Sequence, residues 1–217
     1  MAAKQRTAIL ISGRGSNMQA LIEAARHADF PATIALVLAN NIDAPGIATA
    51  REAGIKSAGI VSSSFPDRQS FDKVLDESLR AADVSLVCLA GYMQILSPWF
   101  VSRWLGRLIN IHPSLLPSYK GLNTHARVLA DGGRLHGCTT HFVTPELDAG
   151  PMIMQAAIPI GPSDTADTLA KRVLEQEHLI YPRTLALVAS GVARLRDGRC
   201  VIDGRAEPRG SLVSPTF

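Results

Sequence analysis

The chain is predicted to adopt a three-layer α/β/α fold with a mostly parallel central sheet and antiparallel additions in its C-terminal half. Three observations carry this expectation. Strand-length apolar runs alternate with helix-like stretches through the first half, and strand–helix–strand repetition implies right-handed crossovers and parallel pairing. The second half changes to alternating strands about a tight turn, the pattern of antiparallel neighbours. With 217 residues, 47% hydrophobic and 19% charged, the chain is long and apolar enough to pack as one sizeable domain.

In chain order, apolar runs fall at Thr7–Ser12, Thr33–Ala39, Ile55–Ile60 and Val84–Ala90, with helix-like stretches at Asn17–His27, Pro45–Ala53 and Asp67–Ala82 between them. Met18, Leu21, Ile22 and Ala25 form the apolar face of the first helix. Asp67 precedes the third as an N-cap. After Ser97-Pro98 come a short helix, Trp99–Leu105, and a strand, Leu108–His112. Gly137–Thr144 and Met152–Ile160 read as strands on either side of the Asp148–Pro151 turn. A long helix follows from Ser163 to Ser190, where Pro182 marks a kink or a break into two. Asp197-Gly198 joins Val192–Arg196 to Arg199–Ile202 as a hairpin. From Gly204 the tail is rich in charge, Gly and Pro and reads as loosely held. Residues 1–217 are thus expected to form a single domain, with an N-terminal mononucleotide-binding half to 105, a C-terminal half over 106–203 and a tail over 204–217.

The net charge of +3 is too small to argue for nucleic acid or a membrane surface as partner. No apolar run approaches the ~18 residues of a membrane span, and Ile9-Leu10-Ile11 is too short for a signal-peptide core. Cys88, Cys138 and Cys200 are odd in number and widely separated, which indicates neither a disulfide framework nor a zinc site. Cys88 fits a small buried hydrophobe. The chain reads as cytoplasmic and free of metal.

Three segments carry chemistry. In Asn110-Ile111-His112-Pro113-Ser114-Leu115-Leu116-Pro117, Asn110 and His112 lie two residues apart on one side of a strand. Pro113 ends the ladder there, so an amide donor and an imidazole stand at a strand's C-terminal end, where α/β sheets bind ligands. Such a pair can stabilise an oxyanion and exchange a proton; alternatively, His112 ties down a turn.

Ser12-Gly13-Arg14-Gly15-Ser16-Asn17 has Met18 where the dinucleotide fingerprint needs glycine, and it lacks the Lys-Ser/Thr ending of a P-loop. It suits one phosphate monoester, held by backbone N–H groups at a helix N-terminus, or else it is a plain tight turn with Ser16 as N-cap. The turn from Thr144 to Pro151 carries Glu146, which fits a solvated carboxylate, and Asp148, which is either a turn former or a partner of His112. His27 fits an exposed helix end, and Met152 and Met154 fit the core better than a ligand site.

The segments Ser12–Asn17, Asn110–Pro117, Gly121–His125, His136–Gly150 and Gln176–Pro182 occur in the order found in the folate-dependent phosphoribosylglycinamide formyltransferases. The chain resembles that family from about Thr7 to Leu195. The Asn110–Pro117 stretch with its later Asp is shared with methionyl-tRNA formyltransferases and with formyltetrahydrofolate hydrolases and dehydrogenases. The glycine loop is more specific to the glycinamide ribonucleotide enzymes. The resemblance implies a Rossmann-like formyltransferase fold and transfer of the formyl group of 10-formyltetrahydrofolate to glycinamide ribonucleotide in purine biosynthesis. It implies a catalytic trio of Asn110, His112 and Asp148. Gly15, Ser16 and Asn17 would hold the substrate phosphate, and Glu177 the glycinamide end. Arg68, Tyr92, Met93, Gln94, Ile95, Leu96, Val143 and Asp148 would line the folate site, largely through backbone groups, with no metal and small molecules as partners of a monomer or homodimer. His125, His136, His141 and His178 fall in matching segments as structural or pocket-lining residues. Position 14 is often Asn in the family and position 94 often Arg; Arg14 and Gln94 depart from it here. The alternatives are a formyltetrahydrofolate hydrolase, with water replacing the amine, and a binding module without turnover.

Overall fold

The computed structural model describes residues 3–204 and 213–214; the rest of the tail expected to be loosely held lies outside the described residues. The first half runs β1 (Gln5–Ile11), α1 (Ser16–Ala25), β2 (Ala32–Ala39), α2 (Pro45–Glu52), β3 (Ser57–Gly59), α3 (Arg68–Ala81), β4 (Leu86–Leu89) and α4 (Pro98–Arg103). The second half runs β5 (Leu108–His112), α5 (Thr124–Ala130), β6 (Leu135–Phe142), β7 (Met152–Pro159), α6 (Ala166–Ala189), β8 (Ala193–Arg196) and β9 (Arg199–Ile202). Seven strands form the main sheet in the order β3-β2-β1-β4-β5-β6-β7, and β8-β9 form a separate hairpin. Pairing is parallel from β3 to β5 and antiparallel from β5 to β7, the sheet that the residues predict and the Rossmann-like α/β arrangement that the resemblance implies.

Two apolar cores lie on opposite faces of this sheet. Ile9 and Ile11 pack with Met18, Leu21, Val173, Tyr181 and Leu185; Ala8 and Leu10 pack with Phe71, Leu75, Leu79 and Phe100. Strand side chains alternate between faces, so a central strand covered on both sides is apolar throughout. Because the chain builds outward from β1 in both directions, the β1–β4 gap is the topological switch point, where the C-terminal ends of two strands open a crevice.

Asp67 caps α3 as expected, its Oδ1 accepting from the Ser70 N–H at 2.7 Å. Asp197 and Gly198 both adopt positive φ (50° and 71°), the two-residue turn that fits a right-twisted hairpin. Three expectations are corrected. Gly15, not Ser16, holds the N-cap position of α1, without a capping side chain: it takes φ 74°, and Ser16 is the first helical residue. Pro182 does not split α6, which is one helix of 24 residues; buried Ile180, Tyr181, Thr184 and Leu185 pin it to the sheet on both sides of the proline. Met152 is 44% exposed rather than core, since β7 is an edge strand, while Met154 packs against the core.

Candidate active site

Two loops meet at the switch point. The Ser12 N–H donates to the Gly91 carbonyl (3.2 Å), and Ser12 Oγ accepts from the Met93 N–H (2.7 Å). Ser12 thereby ties the glycine loop to the Tyr92–Leu96 segment. Gly15 stands in the left-handed region at the head of α1, where an L side chain costs roughly 1–2 kcal/mol, and no side chain caps that helix. Its leading N–H groups are therefore free for an anion. Arg14 is exposed beside them.

Asn17 and Glu177 come together from opposite ends of the chain: Asn17 Nδ2 donates to Glu177 Oε2 at 2.6 Å, both side chains buried. Burial pushes the Glu177 carboxyl upward, partly countered by the Asn17 bond. Asn17 Oδ1 is buried without a hydrogen-bond partner, an acceptor available to a substrate group. Four residues on, the Tyr181 hydroxyl reaches the carbonyls of Leu89 (2.8 Å) and Ile109 (3.2 Å), seating α6 against the end of β4 and the adjacent part of β5.

On the other side of the crevice the ladder ends at His112. Thr139 Oγ1 fixes the loop that follows, donating to the Ser114 carbonyl (2.7 Å) and accepting from the Leu116 N–H (3.0 Å) and Gln155 Nε2 (2.9 Å). His112 Nε2 lies 2.9 Å from the Tyr119 carbonyl, which can only accept, so that nitrogen carries a proton. His112 Nδ1 lies 3.4 Å from Asp148 Oδ2. A ring protonated on both nitrogens thus has an oxygen beside each.

Asp148 reaches this place because its turn folds back on β6. It takes φ 47°, a left-handed conformation Asp tolerates. Gly150 allows the fold-back: a Cβ there would sit 1.7 Å from the Phe142 carbonyl oxygen. Asp148 Oδ2 also accepts from the Gly121 N–H at 2.9 Å. Glu146 is exposed, 3.3 Å from Lys120, a surface pair contributing at most about 1 kcal/mol.

Asn110 faces His141, its antiparallel partner on β6, with Nδ2 3.2 Å from His141 Nε2. His141 Nε2 lies 3.8 Å from Asp148 Oδ1. Asn110, His141, Asp148 and His112 therefore form one continuous polar chain. His125 and His136 stand behind it, their ring nitrogens 3.0 Å apart. Burial lowers both, His136 to about 4, and the neighbouring His112 adds to the effect in each.

The residues expected to line a folate site are placed in different ways. Met93 and Ile95 project outward, 71% and 55% exposed, whereas Leu96 is buried in the core. Gln94 Oε1 accepts from Asn40 Nδ2 at 3.2 Å. The Tyr92 hydroxyl is buried without a partner, and burial, with the nearby Asp72 charge adding to it, pushes its pKa well up. Arg68 lines an open hollow with Lys73, Ser97 and Pro98, and the Ser97 N–H binds Asp72 Oδ2 at 2.6 Å, joining α3 to the end of the Tyr92–Leu96 segment. Val143 is half-buried at the end of β6. Among the described residues no three His, Cys, Asp or Glu side chains gather as metal ligands.

The contacts that Ser12, Tyr119 and Gly121 make are not read from sequence, and His141 is read there only as structural or pocket-lining. Only His141 carried a signal: strand alternation in Gly137–Thr144 puts it on the face of Thr139, although its partner Asn110 is 31 residues away.

The sequence pattern of the formyl transferase family matches residues 5–185. The phosphoribosylglycinamide formyltransferase of Escherichia coli is 44% identical over 203 residues, covering 93% of this chain and 96% of that protein. The crystal structure of glycinamide ribonucleotide transformylase 1 from Symbiobacterium toebii superposes with a TM-score of 0.90 at 40% identity, covering 93% of this chain and 95% of that one. A formyltetrahydrofolate deformylase from Pseudomonas syringae is more distant, with a TM-score of 0.85 at 25% identity, and this chain covers 66% of it. By sequence and by fold, the chain belongs to the formyl transferase family.

Proposed function

We infer that the chain transfers the formyl group of 10-formyltetrahydrofolate to the amine of N1-(5-phospho-D-ribosyl)glycinamide, yielding formylglycinamide ribonucleotide and tetrahydrofolate in purine biosynthesis. The observation that carries this reading is the polar chain Asn110–His141–Asp148–His112 standing across the switch-point crevice from an uncapped helix N-terminus. A phosphate at Gly15, Ser16 and Asn17 would anchor the ribonucleotide, and Glu177 would meet its glycinamide end. The exposed Met93 and Ile95 side chains give the crevice an apolar rim suited to a flat aromatic ring, and the backbone of Tyr92–Leu96 with Val143 supplies its polar contacts. Arg68 would meet the acidic tail of the folate.

In the reaction the amine nitrogen bonds to the formyl carbon, the bond from that carbon to the folate nitrogen breaks, and one proton passes from the former nitrogen to the latter. Asn110 donates to the formyl oxygen as it gains negative charge, and a doubly protonated His112 offers its Nδ1–H, the Nε2–H being held by the Tyr119 carbonyl. Asp148 stands beside the His112 ring and takes up the amine proton, directly or through water.

Transfer is favoured over hydrolysis by the phosphate cradle and the Asn17–Glu177 pair, for which attack by water has no use. The modest charge of +3 supports small anionic substrates rather than nucleic acid or membrane as partners. We place this reaction in the cytoplasm, in a single domain acting as a monomer or homodimer. Incubation with both substrates tests the reading: formylated ribonucleotide should appear in step with tetrahydrofolate. Free formate without formylated ribonucleotide would sink it in favour of a hydrolase.

A further inference from the structure

We propose that His141 is a positioning residue for the reaction: locked in one tautomer by the Phe142 carbonyl, it holds the Asn110 amide with its nitrogen toward the ring and so fixes which group the amide offers to substrate. The inference rests on the catalytic reading of Asn110 given above. His141 is 2% exposed, and its Nδ1 lies 2.9 Å from the Phe142 carbonyl oxygen. A carbonyl oxygen only accepts, so Nδ1 carries the proton, and in the neutral ring Nε2 is left with a bare lone pair. That lone pair faces Asn110 Nδ2 at 3.2 Å.

Only one orientation of the amide fits. With nitrogen toward His141, one N–H is spent on the ring and the second remains for a substrate oxygen. Flipped by half a turn, Oδ1 would face a lone pair and leave the buried ring nitrogen without a donor, an arrangement that native structures avoid. An asparagine without such a neighbour has no preference of this kind, and an oxyanion donor works only when it is preorganised. Burial also holds His141 neutral, lowering it against the opposing pull of the Phe142 carbonyl and the Asp148 charge.

The turn carrying Asp148 fixes the ring from the other side. A Cβ on Gly150 would lie 3.4 Å from His141 Nδ1, so the ring is packed between the strand partner it orients and the acidic turn. Asn110, the Asp148 turn and His141 are therefore set by one contact region.

Two substitutions separate positioning from packing. His141→Asn keeps a donor at the Nδ1 position for the Phe142 carbonyl but places nothing against Asn110. His141→Gln puts an acceptor oxygen at the Nε2 position. His141→Asn is expected to lower kcat by roughly tenfold or more, with both KM values within about threefold, and His141→Gln to recover most of that loss. In an Asn110→Ala background, His141→Asn should add less than about a twofold loss, because the group it orients is gone. If His141→Asn keeps kcat within about threefold of wild type, or its full loss persists in the Asn110→Ala background, the proposal is overturned. An Asn110→Ala variant with unimpaired kcat would overturn the catalytic reading of Asn110 and this inference together. Independently of how the variants fold, the ring nitrogen–proton correlations of His141 in the wild-type protein should show Nδ1 protonated and Nε2 bare. A ring protonated at Nε2 would refute the assignment.

Discussion

At the scale of single residues, the informative pair is Asn17 and Glu177, 160 positions apart in sequence and 2.6 Å apart in space. The contact makes a buried carboxylate tolerable, since an amide donor offsets part of the cost of taking charge out of water. It also couples the glycine loop to α6. Glu177→Ala should raise the ribonucleotide KM by about 10- to 100-fold, the range expected for a hydrogen bond to a charged group, while the folate KM changes little. Steady-state kinetics with each substrate varied in turn checks this. An equal rise in both constants would make Glu177 a structural residue and remove it from the ribonucleotide site.

At the scale of elements, α6 gives the crevice its floor. Glu177, Tyr181, Thr184 and Leu185 lie on one face at helical spacing. The Tyr181 hydroxyl holds this face to the last residue of β4 and the second residue of β5 at once, and Thr184 meets Thr140 on β6 at 2.7 Å. Tyr181→Phe should lower stability to urea by about 1–3 kcal/mol, because it strips a buried donor from two carbonyls without opening a cavity. An unchanged denaturation midpoint would show that those carbonyls are satisfied without it.

What could be read from sequence at this scale follows the range of the signal. The Leu108–His112 strand, the Asp67 cap and the Asp197-Gly198 turn are written in a few adjacent residues, and each appears as expected. Ile55–Ile60 shrank to Ser57–Gly59 because only Val37–Ala39 of β2 pairs with it. The continuity of α6 through Pro182 depends on packing on both sides of the proline, and the exposure of Met152 on which strand ends the sheet. The glycine loop, the Asn110–Pro117 stretch and Asp148 were legible as candidates from residue type and resemblance. The His141 contact was not, since it needs the β5–β6 register.

At the scale of the whole molecule, the fold brings to one crevice groups that the chain keeps apart. The parallel half supplies a helix N-terminus at the end of β1, and the antiparallel addition turns β6 back so that Asp148 arrives beside the last residue of β5. We infer that this meeting of carboxylate and imidazole, and not the shape of the turn, drives formyl transfer. Asp148→Asn isolates the charge. Asn also tolerates the left-handed conformation that Asp148 adopts, and its oxygen can still accept from the Gly121 N–H. Measured as kcat for formylglycinamide ribonucleotide formation, the variant should fall by about 10²- to 10⁴-fold while ribonucleotide affinity stays near wild type. Retention of more than about a tenth of wild-type kcat, less than the smallest loss expected on removing an acid–base group, would contradict the claim.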